Sequence, residues 1–426
     1  MSQERTIPDW MKIPVVLQHQ FFKHAQEEAE RCKRRLNERF KRIKLLAKHI
    51  ETKPIPKSDE WKNWRVAVVD GSNSPVTSER LGSRYGVYCA GYMIFEGDQP
   101  VEEGFGSDEF VQDQVGSRDV AEKVLSMMRV GLERRIALQC LEEKGADLVL
   151  LDGSFFGFRA EAYRINDEIL DVKGYKRGID LTSDVRDKTL KLLKSGRAVG
   201  IIKRSRTSAF DGWLISRYGD EGHCIYSNDR FILSFLLPVG YWFAYHWLLG
   251  AQDETLELKE GLGKDFEKLR RKELNLISFN YYNTFRSIYR YKVLKMKQKI
   301  SLDKIYDDAA QSLKRTIYKS LKIDHGQVLR TARYHVRCSN ALPFELETPL
   351  NKEVEPLLSY FLGFHNPATG LPWPIDLVDE NVSLPRGFTR EFVEEIEAEL
   401  IRDPEVQDKI GLQAYFSHIN PQKEED

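Results

Sequence analysis

Cysteine is scarce in this 426-residue chain: Cys32, Cys89, Cys140, Cys224 and Cys338 are odd in number, widely spread and never paired as Cys-x-x-Cys. Neither a disulfide framework nor a thiolate zinc site is indicated. Histidine is nearly as thin, and His335 and His365 stand alone, with no His-x-x-x-His or His-Glu-x-x-His to hold a catalytic zinc. No Gly-x-x-x-x-Gly-Lys-Ser/Thr occurs, so the chain cannot drive its own movement along a polymer through a P-loop. No Gly-x-Ser-x-Gly occurs either, which disfavours a nucleophilic-serine hydrolase.

Net charge is absent too, 65 Lys and Arg balancing 65 Asp and Glu. The balance is not local: residues 20–49 hold ten basic against four acidic side chains, and residues 261–300 hold eleven against three. A polyanionic partner therefore stays open. Long apolar runs are lacking with one exception, FILSFLLPVGYWFAYHWLLGAQ at 231–252, which is free of Asp, Glu, Lys and Arg and long enough to span a bilayer. Pro238 and Gly240 interrupt it, so it reads as two short buried elements around a Pro-Val-Gly turn. The opening MSQERTIPDWMK carries charge where a secretory signal needs its apolar stretch; a cytoplasmic protein without a membrane span is the expectation.

With 41% hydrophobic and 31% charged residues, the chain is globular in composition and long enough for one large elaborated domain or two. Residues 1–60 read as a basic helix, 15–52, and a linker. From 61 to 215 the pattern runs strand to Asp70, strand 87–95, strand 101–105, helix 118–144 closed by Gly145, strand to Asp152, helix 183–196 and strand 197–205. That order describes an α/β domain with a mixed sheet. Residues 216–330 read as a largely helical aromatic and basic insertion or second lobe. Residues 331–390 return to the core with strands at RTARYHVRCS and ALPFELETP and the helix EVEPLLSYFLGF, and 391–426 hold an acidic helix and tail.

What the chain does have is a repeated device. RVAVVDGSNSPV, at 65–76, is an apolar strand that reaches Asp70 and breaks into Gly-Ser; DLVLLDGSFFG, at 147–157, does the same at Asp152, 82 residues on. Each is expected to put a carboxylate at the C-terminal end of a strand, with the glycine turning the backbone. One Asp-Gly-Ser is an ordinary turn. Two at neighbouring strand ends would share a hard cation, and Mg²⁺ or Mn²⁺, as an ion or a pair, then activates water against a phosphodiester. Spacing alone leaves turn and metal site both open.

VVDGSNS, a helix carrying LERR, then LVLLDGSFFG, VGIIKRSR and GLPWPIDLVDE, in that order over residues 60–390, resemble the NurA family of nucleases. The resemblance implies an RNase H-like fold, a mixed sheet flanked by helices, with a Mn²⁺ or Mg²⁺ site of two ions that hydrolyses DNA ends in double-strand break repair. It also implies a homodimer docked on a HerA-like hexameric ATPase. Asp70 and Asp152 match the family's strand-end aspartates, and Glu133 its helical glutamate, although Glu133 taken alone is a solvated helix residue beside an apolar column. Lys203 matches the family's strand lysine, holding a phosphate or steadying the carboxylates; its plain reading is an edge-strand lysine. The chain departs near the carboxyl end, where the family's tyrosine and histidine become Leu371 and Asp379. A carboxylate can replace imidazole for these hard ions, so Asp379 is taken as the fourth ligand, with Asp376 and Glu380 as alternatives and Glu347 ranked below them.

Arg206 is a weaker phosphate contact beside Lys203. In NYYNTFRSIYRYK, Arg286 and Arg290 interleave with aromatics, a pattern that stacks bases and holds the phosphates of a single strand, or else builds an amphipathic helix with its rings in the core. Two other functions fit the same residues: an RNase H-like nuclease acting on RNA or a hybrid, and an inactive DNA-binding scaffold.

Overall fold

The computed structural model describes residues 13–74, 77–80, 82–113, 117–249, 274–322, 331–350, 352–385 and 387–404. The charged stretch at 255–273 and the tail from 405 lie outside the described residues. The order begins with α1 (Val15–Ala47), β1 (Lys53–Pro54), β2 (Arg65–Asn73), β3 (Ser78–Arg80), β4 (Ser83–Glu96) and β5 (Gln99–Asp113). It continues with α2 (Arg118–Glu142), β6 (Leu148–Asp152), α3 (Arg159–Ile165), the small hairpin β7 (Ile169–Val172) and β8 (Tyr175–Arg177), α4 (Gly178–Ser195), β9 (Ala198–Ile202), α5 (Ala209–Tyr218) and α6 (Asp229–Leu236). Then come β10 (Tyr241–Ala244), α7 (Tyr245–Leu249), α8 (Leu274–Tyr289), α9 (Leu302–Leu321), β11 (Thr331–Arg337), β12 (Phe344–Pro349), α10 (Glu355–Gly363), α11 (Trp373–Val382) and α12 (Phe388–Arg402).

The mixed α/β sheet expected from the pattern is present, with ten strands among the described residues in the order β1-β10-β11-β12-β9-β6-β2-β4-β3 and β5 also paired to β4. Its centre is parallel, β2 with β6 and β6 with β9, and the flanks are antiparallel. The central strands are near-continuous apolar runs because both of their faces are covered. Ala67, Val69, Val149 and Leu151 pack under α2 and α4 on one side. Val66, Val68, Leu148 and Leu150 pack under α10 and α11 on the other.

Three expectations shift. The strand expected near 101–105 is the 15-residue β5, which pairs along β4 from Glu96 to Ser83; its alternating Gly, Glu and Asp hid it from a hydrophobicity reading. Gly91 lets β4 and β5 approach closely, since an added Cβ would lie 2.7 Å from the Phe105 ring. As far as Leu249 the apolar run from 231 divides into α6, β10 and α7, and β10 joins the main sheet between β1 and β11; residues 250–252 lie outside the described residues. Residues 216–330 thus contribute a strand to the core as well as helices. Within them Tyr281, Phe285 and Tyr306 bury their rings together, with Phe285 and Tyr306 centroids 4.7 Å apart. Among the described residues no helix is long and apolar enough to cross a membrane.

Candidate metal centre

The parallel register of β2 and β6 runs from Val66 opposite Leu148 to Val69 opposite Leu151, so Asp70 and Asp152 come next on neighbouring strands. Side chains alternate along a strand, which sends both carboxylates to the face of Val66, Val68, Leu148 and Leu150. That face is covered by α11, whose Ile375, Val378 and Val382 are buried against it. Prolines at 372 and 374 suit the start of this helix, where backbone N–H groups lack helical partners. It carries Asp379 to the same place: one carboxylate oxygen each of Asp70, Asp152 and Asp379 lie within 4.8 Å of one another.

The two Asp-Gly-Ser motifs are built differently. At Asp152 the strand ends, and Gly153 turns with φ +110° while its N–H donates to the Ile201 carbonyl at 2.7 Å. At Asp70 the strand does not end. β2 continues through Gly71 and Ser72 to Asn73, paired with β4 out to Tyr88, so the first glycine is no turn. An added Cβ there would lie 2.8 Å from Glu133 Oε1.

Electrostatics press on this group. Burial, then the charges of Asp152 and Glu133, push the Asp70 carboxyl up to about 9, against the Gly71 N–H, which donates to Asp70 Oδ1 at 2.7 Å. Burial likewise raises Asp152, with Lys203 opposing. Lys203 follows the end of β9, and its Nζ sits 2.9 Å from Asp152 Oδ2 and 2.7 Å from Asp379 Oδ2. Burial alone would lower the Lys203 pKa, but the two carboxylates outweigh it and the ammonium stands above its ordinary value. One lysine therefore neutralises part of a crowded acidic group. Such all-oxygen, charge-excess donor sets fit Mg²⁺ or Mn²⁺.

A NurA domain model matches residues 65–384, three quarters of the chain and every residue named in this centre. The chain belongs to the NurA family. The crystal structure of the NurA nuclease from Sulfolobus solfataricus shares its fold, with a TM-score of 0.52 and 12% identity over 91% of this chain and 98% of that one. A structure of NurA bound to dAMP and manganese aligns over 89% of this chain and 94% of that one, at 14% identity and a TM-score of 0.35. No curated protein matches the sequence.

Other residues that the NurA resemblance or the sequence singled out stand apart from the three aspartates. Glu133 is buried on the opposite face of β2, held by the Arg129 guanidinium and 3.9 Å from Arg134 Nη1. Burial raises its pKa, with both arginines opposing. Asp376 accepts from Asn366 Nδ2 at 2.8 Å and Thr369 Oγ1 at 2.6 Å, ordering the loop before α11; Glu380 is exposed. Leu371, at the family's tyrosine position, is buried in the apolar cluster. Glu347 lies behind the site: Ser154 Oγ at 2.7 Å, the Phe155 N–H at 3.0 Å and Thr331 Oγ1 at 2.9 Å all donate to it, so it braces the Asp152 loop. Arg206 is exposed after β9, Arg286 Nε is 3.4 Å from buried Asp211, and Arg290 lies over the Tyr226 ring. Sequence reasoning passed over Arg129, although its place four residues before Glu133 on one helix is a readable pairing signal.

Proposed function

We propose that this chain is a metal-dependent DNA nuclease that hydrolyses phosphodiester bonds at DNA ends, with Asp70, Asp152 and Asp379 holding Mn²⁺ or Mg²⁺. The observation that carries the reading is the convergence of three carboxylates from β2, β6 and α11 within 4.8 Å, in a member of the NurA family. Two of those carboxylates are inside the molecule and raised in pKa, a costly arrangement unless a cation is to be bound. When bound, such an ion lowers the pKa of water and polarises a phosphodiester.

Around it the chain's own residues divide the work. Asp70 has to release its proton before all three carboxylates are charged. Lys203 keeps Asp152 and Asp379 together and partly neutralised, and its ammonium faces the place where a scissile phosphate would come. Glu133 is the acidic group available for a second ion, reached from the far side of β2. Arg206, Arg286 and Arg290 are proposed as outer contacts to the strand.

The family membership and the absence of a P-loop support a motor supplied from outside, a HerA-like hexameric ATPase, acting with a homodimer of this chain in double-strand break repair in the cytoplasm. The test is degradation of end-labelled linear DNA by the purified chain, with and without such an ATPase. Activity should need Mn²⁺ or Mg²⁺ and stop with EDTA. Asp70→Ala and Asp152→Ala should each lower it at least about 100-fold, the upper end of what loss of a mere outer partner costs, with circular dichroism unchanged. Metal-independent cleavage, or no cleavage under any of these conditions, would overturn the reading.

A further inference from the structure

Lys203 contacts the three aspartates directly, and three arginines sit on the segments around them, with donors that are not equally committed. Lys203 Nζ already serves Asp152 and Asp379. Arg134 donates Nη2 to the Ser154 carbonyl at 3.1 Å and leaves Nε and Nη1 without a hydrogen-bond partner, but at 2% exposure it is closed off from any substrate. Arg206 is on the open surface of the loop after β9. Arg129 differs from all three. Its Nη1 alone donates both to Glu133 Oε1 and to the Gly71 carbonyl, the latter at 3.2 Å, while Nε and Nη2 have no partner among the described residues. Its side chain is 23% exposed, against 4% for Glu133, so the guanidinium reaches from a buried acid to solvent.

The location matters as much as the open donors. Gly71 follows Asp70 directly, and β2 has no β6 partner beyond Val69, so the Gly71 carbonyl lies where the parallel sheet has stopped. A guanidinium pinned through Nη1 presents its Nε and Nη2 hydrogens as a parallel pair, the spacing that fits two oxygens of one phosphate. The pin fixes the plane of the group in advance, so little ordering remains when an anion arrives.

The geometry points to Arg129 as a substrate contact: its free Nε/Nη2 edge takes a backbone phosphate of the DNA strand engaged at the Asp70, Asp152 and Asp379 centre. The inference rests on the nuclease reading and deepens it by naming a phosphate-holding side chain other than Lys203. The competing role is purely internal, with Arg129 there only to neutralise Glu133.

Arg129→Lys separates the two, because it keeps a cation near Glu133 and removes the paired edge; Arg129→Gln removes the charge as well. Binding of a fluorescent DNA end is measured by anisotropy in Ca²⁺ across a salt series, beside cleavage in Mn²⁺ and thermal melting. Both variants should weaken DNA binding about tenfold or more, and Arg129→Gln should flatten the slope of log affinity against log salt by about 0.7 to 0.9, the share of one phosphate contact. The Mn²⁺ concentration for half-maximal cleavage is recorded separately, because Arg129 also holds Glu133 and losing such an outer partner can by itself change metal affinity about 10- to 100-fold. Unchanged DNA affinity and salt slope in Arg129→Lys, whatever happens to melting or to the Mn²⁺ requirement, would overturn the inference while leaving an active nuclease. An unmutated protein that cleaves no DNA in Mn²⁺ overturns the nuclease reading, and the Arg129 assignment with it.

Discussion

The Cβ that Gly71 lacks would sit 2.8 Å from both Cγ and Oε1 of Glu133, and 2.9 Å from the Cys89 carbonyl oxygen of the neighbouring strand. Gly71 is therefore required for space, so that α2 can lay Glu133 against β2. Gly153 is the opposite case: its Cβ would meet nothing within 4 Å, but its φ of +110° is one that side chains resist. Gly71→Ala should destabilise the fold by about 1–3 kcal/mol through overpacking, measured by urea denaturation. Combining it with Glu133→Ala should recover part of that loss, a coupling of at least about 0.5 kcal/mol between groups in contact. Gly153→Ala should be destabilising through its backbone and additive with Glu133→Ala. Full additivity at Gly71 would mean that Glu133 is not what the missing side chain accommodates.

Asp379 and Asp376 lie three residues apart on α11, and only the first meets the other aspartates. Asp379→Asn should raise the Mn²⁺ requirement for DNA cleavage about tenfold or more with folding stability nearly unchanged, because its side chain is 55% exposed. Asp376→Asn should leave the Mn²⁺ requirement alone and lower stability by about 1 kcal/mol, through the loop hydrogen bonds from Asn366 and Thr369. Asp379→His, which places the family's residue in this site, should retain Mn²⁺-dependent cleavage. The reverse pattern would move the third ligand to Asp376.

These contrasts show which parts of the molecule the sequence could reveal. The strands that carry Asp70 and Asp152 were legible because Val66–Val69 and Leu148–Leu151 are unbroken apolar runs, as strands buried on both faces are. That β2 continues past Asp70 was not, because the continuation depends on β4 residues Tyr88 to Ala90, which pair with it across the sequence. Glu133 was visible beside an apolar column, but helical phase does not say which side of the sheet a helix will cover. Asp379 was reached through family resemblance; no local pattern brings a carboxylate 227 residues after Asp152 back to it. Glu347 shows the limit most clearly: an acid on a strand looks like a ligand until its partners, Ser154, Phe155 and Thr331, are seen.

Lys203 occupies with its ammonium part of the charge that a cation would satisfy. Lys203→Met should lower the melting temperature of the metal-free protein, because Asp152 and Asp379 then face each other without a counter-charge. Mn²⁺ should raise the melting temperature of this variant more than that of the unmutated protein, since binding stabilises with the logarithm of affinity and the competing cation is gone. Cleavage should still fall if the lysine holds phosphate. Differential scanning fluorimetry across a Mn²⁺ series reads both effects, and equal Mn²⁺ shifts in the two proteins would show that ammonium and ion do not compete.

The Asp70 carboxyl links metal, proton and fold. In the metal-free protein it stands at about 9, raised first by burial and then by Asp152 and Glu133, whereas in the unfolded chain it returns to its ordinary 3.8. Between those values the folded state holds a proton that the unfolded state has lost, so this group's contribution to stability is complete below 3.8 and declines as pH climbs towards 9. A metal ion takes the proton's place. Mn²⁺ affinity should accordingly rise with pH, up to about tenfold per unit for one proton released, and level off near pH 9. Asp70→Asn should flatten both slopes, because an amide has no proton to exchange in this range, leaving only the share of the raised Asp152 carboxyl. Isothermal titration at pH 7 in two buffers of different ionisation enthalpy counts the protons directly: close to one per Mn²⁺ in the unmutated protein is expected, and none would mean that Asp70 is already charged before the ion arrives.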